Sequence, residues 1–362
     1  MEHLPRVLGS AKKSSLSILI TISTALGGGL CAKSLGLPAP FLMGSLVSIW
    51  VIGLTIKAVR PSFAIPTWFF IPIMLGLGTL IGSNFNPEII QKFSSYVDTT
   101  IAMCVATFFA SVVGVLFLTR FRAYDLTTSL LCCIPGGQAE AIILSQGRVE
   151  KEYVVALFHL VRVTLVFVGT PLFLGYFQGS VAIEKSNQIL TSMPNIMEID
   201  LVNLGSFILV AVCSYPVAKV FRLPMPHFIG PIAVSSALHI AGLVEIPRIS
   251  EFLILTQLVI GARIGERLCT VQLRELLKYT IDAIMSSMII LGIYISFAFV
   301  LNHFSGGDLF DLLLAFVPGG LHEVTLLAII FGFDVAFVVF HHIIRVITVV
   351  LALPIVLSFI KK

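Results

Sequence analysis

Apolar runs broken by short polar stretches dominate the chain. They fall near residues 16–34, 39–57, 66–83, 97–119, 124–146 and 152–176, and again near 202–220, 226–243, 252–267, 280–302, 309–331 and 334–360. Several exceed 18 residues with almost no charge, which predicts membrane-crossing helices and an all-α integral membrane fold. The fifth run of each set of six differs from the rest, because Pro-Gly-Gly falls in its middle. About eleven residues lie on either side, or about 16 Å of helix against a hydrocarbon core of about 30 Å. Such a run is either a broken spanning helix or a re-entrant hairpin with Pro-Gly-Gly at its tip.

The two sets are copies of one unit. Ile134-Pro135-Gly136-Gly137-Gln138-Ala139-Glu140 returns 183 positions later as Val317-Pro318-Gly319-Gly320-Leu321-His322-Glu323. The same offset maps Asp125 to Asp308, His159 to His342, Arg162 to Arg345 and Pro171 to Pro354. Earlier in the unit the offset is 186, which maps Leu37-Pro38-Ala39-Pro40 to Leu223-Pro224-Met225-Pro226. The expected organisation is a membrane repeat over 16–176, a polar linker over 177–200 outside the bilayer, and a second membrane repeat over 201–360.

Composition agrees. Apolar residues make up 57% of the 362 positions, charged residues only 12%, and mean hydropathy is +1.03. A soluble chain carries about 25% charged residues, so too few are present here to cover a water-facing surface. The net charge of +4 is spread in short clusters between apolar runs. It reads as an orientation signal and not as a nucleic-acid footprint. The six cysteines sit in or beside apolar segments with no C-x-x-C spacing, which suits packing inside helices. The run after Ser15 reads as a first retained helix and not as a cleaved signal peptide.

Charge placement separates the two topologies. Of the 23 Lys and Arg residues, Arg162 and Arg345 are set aside as intramembrane. With six crossings per repeat and a cytoplasmic N-terminus, 11 of the rest lie inside and 10 outside. With five crossings and re-entrant fifth segments, 17 lie inside and only Lys33, Lys92, Lys185 and Arg248 lie outside. The positive-inside rule therefore predicts two inverted repeats of about five spans, each with one Pro-Gly-Gly segment, and both termini cytoplasmic.

Ionisable groups inside apolar segments are costly, which marks them as candidates. Glu140 and Glu323 follow Pro-Gly-Gly by three residues, and His159/Arg162 and His342/Arg345 share helix faces at i, i+3. Broken helices at Pro135-Gly136-Gly137 and Pro318-Gly319-Gly320 expose N–H groups and a positive dipole end at membrane depth, the construction secondary transporters use for a substrate site. On that reading the acids bind or release a proton or cation, the arginines face an anionic solute or hold the acids ionised, and the histidines relay protons. The plainer reading pairs Glu140 with Arg162 and Glu323 with Arg345 as buried ion pairs. His322 and His341 have Ala139 and Phe158 as counterparts. They either break the symmetry of a site or are satisfied core histidines. Pro38, Pro40, Pro224 and Pro226 read as helix starts. The ladders Gly76-x-Gly78-x-x-x-Gly82 and Gly261-x-x-x-Gly265 read as close helix packing. His227 is a weaker candidate, and Asn84 a candidate lining for a polar path. No catalytic set, cofactor motif or metal-ligand set is evident.

The segments "LPAPFLMGSL", "IPGGQAEAIIL", "VPGGLHEVTLLA", "FHLVRV" and "HHIIRVITVVLALP", in tandem, resemble the AbrB-type duplicated membrane proteins of bacteria over about residues 16–355. Members carry labels such as ammonia monooxygenase or membrane regulator of gene expression. The family shares its name with a small soluble DNA-binding regulator, which this chain does not resemble. A monooxygenase needs a copper or iron ligand cluster, and the deep histidines His159, His322, His341 and His342 supply no such set. With no helix-turn-helix and no soluble domain, regulation would be indirect. The layout is also similar to that of anion and organic-acid transporters, at the level of fold alone. The expectation is therefore a non-enzymatic, multi-pass protein of the bacterial inner membrane that moves a small solute, an organic anion being one candidate, with H+ or Na+. The alternative is a membrane regulator without transport, and the least favoured is an oxygenase. No Walker motif is present to drive transport by ATP. Its partners are the bilayer, a solute and a coupling ion, without nucleic acid, and the reading admits an oligomer.

Overall fold

The computed structural model describes residues 3–270 and 273–360, and among them every regular element is helical. Lys361 and Lys362, and the side chains of Arg6, Lys12, Lys13, Lys92 and Arg274, enter the charge tally but lie outside the described residues. Among the described residues six helices are long and apolar enough to cross a membrane, over residues 15–34, 96–121, 152–177, 201–220, 277–304 and 335–359. Large apolar side chains such as Phe108, Leu209 and Leu351 are exposed on them, as lipid-facing surfaces require.

The chain folds into two compact units, and each takes one piece from each sequence repeat. The first holds Met1–Asn86 and Pro171–Val271, and the second Pro87–Thr170 and Gln272–Lys362.

In the first unit, α1 (His3–Ser34), α2 (Pro40–Thr55) and α3 (Thr67–Gly82) come from one repeat, and α9 (Leu201–Val220), α10 (Pro226–Ile240) and α11 (Ser250–Thr270) from the other. The linker is not a plain polar strand of chain. It forms α8 (Ser180–Ser192) and a short 3-10 turn over Ile196–Glu198. Each proline pair frames a residue in the left-handed region before its helix, Ala39 at φ 48° and Met225 at φ 48°. Pro40 and Pro226 then open the helices, where a missing N–H costs nothing.

Besides pairs within one repeat, such as α1 with α2 and α9 with α10, two extensive pairs run across the repeats. Helix α2 lies on α11, and α10 lies on α3. A Cβ at Gly261 or Gly265 would come within 2.6 and 2.7 Å of the Leu42 and Leu46 carbonyl oxygens. A Cβ at Gly78 or Gly82 would come within 2.7 and 2.8 Å of the Phe228 and Ile232 carbonyls, the same positions in the other copy. Gly78, Gly82, Gly261 and Gly265 thus bring backbone against backbone, while Gly76 makes room for the Phe252 and Phe207 rings. A Gly261→Val variant is expected to lose about 1–3 kcal/mol from overpacking. Gly292→Ala, where an added Cβ meets nothing within 4 Å, should leave the melting midpoint in detergent unchanged or slightly raised.

In the second unit, α4 (Pro87–Phe121) runs along α12 (Leu273–Ser305). Around them lie α5 (Leu126–Cys133), α6 (Gln138–Ser145) and α7 (Glu152–Gln178, to residue 170) from one repeat, and α13 (Leu309–Phe316), α14 (Leu321–Phe331) and α15 (Val335–Phe359) from the other. The first half-helix of each copy starts on a capping aspartate. Asp125 accepts from the Thr128 N–H at 2.8 Å, and Asp308 from the Phe310 and Asp311 N–H groups at 2.8 and 3.1 Å. Such caps contribute about 1 kcal/mol each.

Candidate functional site

Both Pro-Gly-Gly sequences interrupt a helix, and both interruptions lie in the second unit. α5 stops at Cys133, Ile134 turns extended, and α6 restarts at Gln138. At the matching positions α13 stops at Phe316 and α14 restarts at Leu321. The two breaks differ in hand. Gly136 (φ 99°) and Gly137 (φ 58°) occupy backbone space that only glycine enters without strain. Gly320 has an ordinary φ of −71°. Neither restarting helix carries a side-chain cap.

The arginines hold the ends of the first half-helices. Arg162, on α7 and 3% exposed, donates from Nη2 to the Ile134 carbonyl at 2.8 Å and from Nη1 to the Cys133 and Cys132 carbonyls at 3.3 and 3.4 Å. Arg345, on α15 and 1% exposed, donates from Nη1 to the Phe316 carbonyl at 2.9 Å, the position matching Cys133. A cation at the carboxyl end of a helix satisfies free carbonyls and opposes the negative dipole end. Each guanidinium also donates from Nη2 to Nδ1 of its histidine, His159 at 2.7 Å and His342 at 2.8 Å. An arginine only donates, so Nδ1 accepts and the imidazole proton sits on Nε2. There it is given to the Leu131 carbonyl at 2.9 Å and the Leu314 carbonyl at 3.1 Å. Both ring nitrogens are hydrogen-bonded, so these histidines brace the arginines.

The ion pairs of the plainer reading do not form. Among the described residues no ion pair joins Glu140 to Arg162 or Glu323 to Arg345. The helix break itself supplies each charge with a partner. The arginines sit at negative helix ends, and Glu140 and Glu323 sit in the first turns of α6 and α14, at positive ends. Glu323 is buried, its Oε1 lies 3.6 Å from His322 Nε2, and its Oε2 has no hydrogen-bond partner among the described residues. The carboxylate carbon lies 2.6 Å from where a Cβ at Gly320 would stand, so Gly320 makes room for it. Glu140 is half-buried.

Each break rests on the last helix of the other repeat. Gly136 faces Arg345 and Val346, Gly137 faces Val349 and Val350, and Gly319 faces Val166 on α7. Pro135 and Pro318 are buried beside them. The Arg345 guanidinium stands 5.8 Å from the Tyr294 ring centre, and the Tyr294 hydroxyl donates to Thr107 Oγ1 at 2.8 Å. Tyr294 was not foreseen. Its signal was a tyrosine inside the apolar run of α12, where the other copy has Ser111.

Other candidates fall elsewhere. His341 is a satisfied core histidine, with Nε2 2.8 Å from Thr99 Oγ1 and Nδ1 2.8 Å from the Phe337 carbonyl. Asn84 closes the end of α3, donating to the Leu80 carbonyl at 2.9 Å while Arg248 donates to its Oδ1. His227 lies half-buried in the first turn of α10, in the first unit. A cluster that sequence reasoning missed joins the α4–α5 corner to α12. Asp282, fully buried, pairs with Arg122 and accepts from the Tyr124 hydroxyl at 2.9 Å. Burial and this bond push Tyr124 well above the usual phenol range and keep it protonated. Asp282→Asn is expected to lose about 2 kcal/mol, read as a lower melting midpoint, because Arg122 keeps some solvent contact when its partner is removed.

Among the described residues no three His, Cys, Asp or Glu side chains gather as a metal site.

The family model described as "Transition state regulatory protein AbrB" matches residues 48–361. "Putative regulator AbrB" of Escherichia coli (strain K12) is 25% identical over 344 residues, covering 95% of this chain and 96% of that protein. "Uncharacterized protein YhjN" of Bacillus subtilis (strain 168) is 22% identical over 353 residues, covering 92% of this chain and 90% of that protein. With the family model spanning most of its length, this chain belongs to the AbrB family.

Proposed function

We propose that the protein is a secondary transporter of a small solute, driven by protons or sodium, with its site at the two Pro-Gly-Gly breaks. The observation that carries this reading is the doubled break. Two helices are interrupted at matched positions in one unit, each with an uncapped restart, an acid in its first turn and a buried arginine beside it. Unwound backbone at membrane depth is tolerated only inside protein or along a wet cavity, and paired breaks are how transporters assemble a midplane site. Stability alone is a poor reason to keep such charges buried.

The proposed topology has five crossings per repeat, an inverted second repeat, re-entrant fifth segments, and both termini on the cytoplasmic side of a bacterial inner membrane. The 17-to-4 bias of basic residues supports it. So do the half-helices, of 8, 8, 8 and 11 residues. At 1.5 Å per residue none reaches across about 30 Å of hydrocarbon. α2, α3 and α10, of 16, 16 and 15 residues, would cross with local thinning of the bilayer.

The purified protein in liposomes, offered the small-molecule pool of a bacterial extract under an inward sodium or proton gradient, is expected to accumulate at least one solute, identified by mass spectrometry. Folded protein that accumulates nothing under either gradient would support the second reading, a membrane regulator without transport. That reading rests on the regulatory names of the family model and of the Escherichia coli relative.

A further inference from the structure

We infer that the first break binds a small zwitterion, an amino-acid-like solute whose carboxylate meets Arg345 and the opening N–H groups of α6 while its ammonium meets Glu140. The inference names the substrate class of the proposed transport site and rests on that reading for movement, but binding can be measured alone.

The positive side of the site is Arg345. Its two terminal nitrogens are committed, to the Phe316 carbonyl and to His342, but its buried Nε has no hydrogen-bond partner among the described residues. The residue is 1% exposed, so this donor is desolvated and unmatched. It lies 3.9 Å from where a Cβ at Gly136 would stand, with Arg345 Cγ at 3.8 Å and Val346 at 3.9 Å, so the arginine passes close over this glycine. Directly after Gly137, α6 opens without a side-chain cap, and its first intrahelical bond runs from the Ala141 N–H to the Gly137 carbonyl. The N–H groups before it face outward from a positive dipole end. A buried guanidinium N–H beside free backbone N–H groups is an acceptor's site, and a carboxylate fits it.

The negative side is Glu140. Its Oε2 lies 3.6 Å from where a Cβ at Gly137 would stand, one residue from the glycine that faces Arg345. Acid and base thus flank adjacent glycines without forming an ion pair. A bare carboxylate placed there would meet repulsion from Glu140, and a bare ammonium repulsion from Arg345. One short molecule carrying both poles satisfies both.

The second break does not offer the same site. Glu323 folds its carboxylate over Gly320, so the start of α14 is already occupied by the chain's own anion. The backbone there lacks the positive-φ glycines that bare the first break. The duplicated fold therefore holds one solute in one orientation.

The test is thermal stabilisation of the full-length protein in nanodiscs by alanine, propionate, ethylammonium or neutral lactamide at equal concentration. Alanine is expected to raise the midpoint by several degrees, and propionate and ethylammonium by clearly less. In Glu140→Gln the order of alanine and propionate should reverse, because the repulsion on a lone carboxylate is gone. Propionate matching alanine in the parent protein, or no stabilisation by any of the four, overturns the inference. If the variant does not fold, the parent's ranking decides alone. Lactamide as the best stabiliser overturns the zwitterion and leaves transport standing. Alanine that binds but is never accumulated under a gradient supports the site and removes the transport reading.

Discussion

Arg162→Gln is expected to be lost from the membrane fraction, or to melt far below the parent protein. The guanidinium serves three consecutive carbonyls, Cys132, Cys133 and Ile134, and locks His159. They close α5 where Pro135 prevents the helix from continuing. Each buried acceptor left unmatched costs about 1–3 kcal/mol, against a total stability of about 5–15 kcal/mol for a typical protein. A glutamine reaches one carbonyl at most and brings an acceptor of its own into the cluster. Arg162→Lys should recover part of the loss, since an ammonium keeps the charge but cannot fork across neighbouring carbonyls. Arg345→Gln should be milder, because Arg345 closes one carbonyl, that of Phe316. Size-exclusion profiles of fluorescent fusions rank the three variants. A normal profile and midpoint for Arg162→Gln would contradict this account of the break.

The second large effect falls on function and leaves the fold in place. Among the described residues Glu140→Gln and Glu323→Gln remove charges that no arginine pairs with; the structural loss is the interaction with a helix start, about 0.3–1 kcal/mol each, and for Glu323 also its contact with His322. Gradient-driven accumulation should fall to the level of empty liposomes in both variants, while yield and melting midpoint stay near those of the parent. Unfolding of both variants would instead make the acids structural, and full accumulation by both would remove them from the site.

Much of this was legible in the sequence because the chain can be compared with itself. The 183-residue offset holds down to single hydrogen bonds. His159 to Leu131 and His342 to Leu314 are the same bond in two copies, as are Arg162 to Cys133 and Arg345 to Phe316. The glycine ladders and proline pairs also stand in the roles their patterns suggested. The partners of the charges were not legible. Counting charges matches acids to bases, but a broken helix presents partial charges of its own at both new ends, and composition does not display them. The crossing of the copies was equally hidden. Arg345 lies beside Gly136 and not beside its own Gly319, since repeat arithmetic relates equivalent positions and says nothing of which copy touches which. The same holds for the two compact units, each assembled from matching parts of both repeats. Asp282 escaped because its counterpart is Thr99, so it carried no repeat signal.

The central claim, an inverted pair of five-crossing repeats forming a transport site, is tested most directly by the sidedness of α8. Lys185 is exposed on it. A single cysteine is placed there in a cysteine-free background, and intact cells are treated with a membrane-impermeant thiol reagent. The account predicts labelling from outside, at the same rate as in opened cells. Protection until the cells are opened would mean an even number of crossings before α8 and parallel repeats, and would contradict a midplane site built from opposed Pro-Gly-Gly breaks.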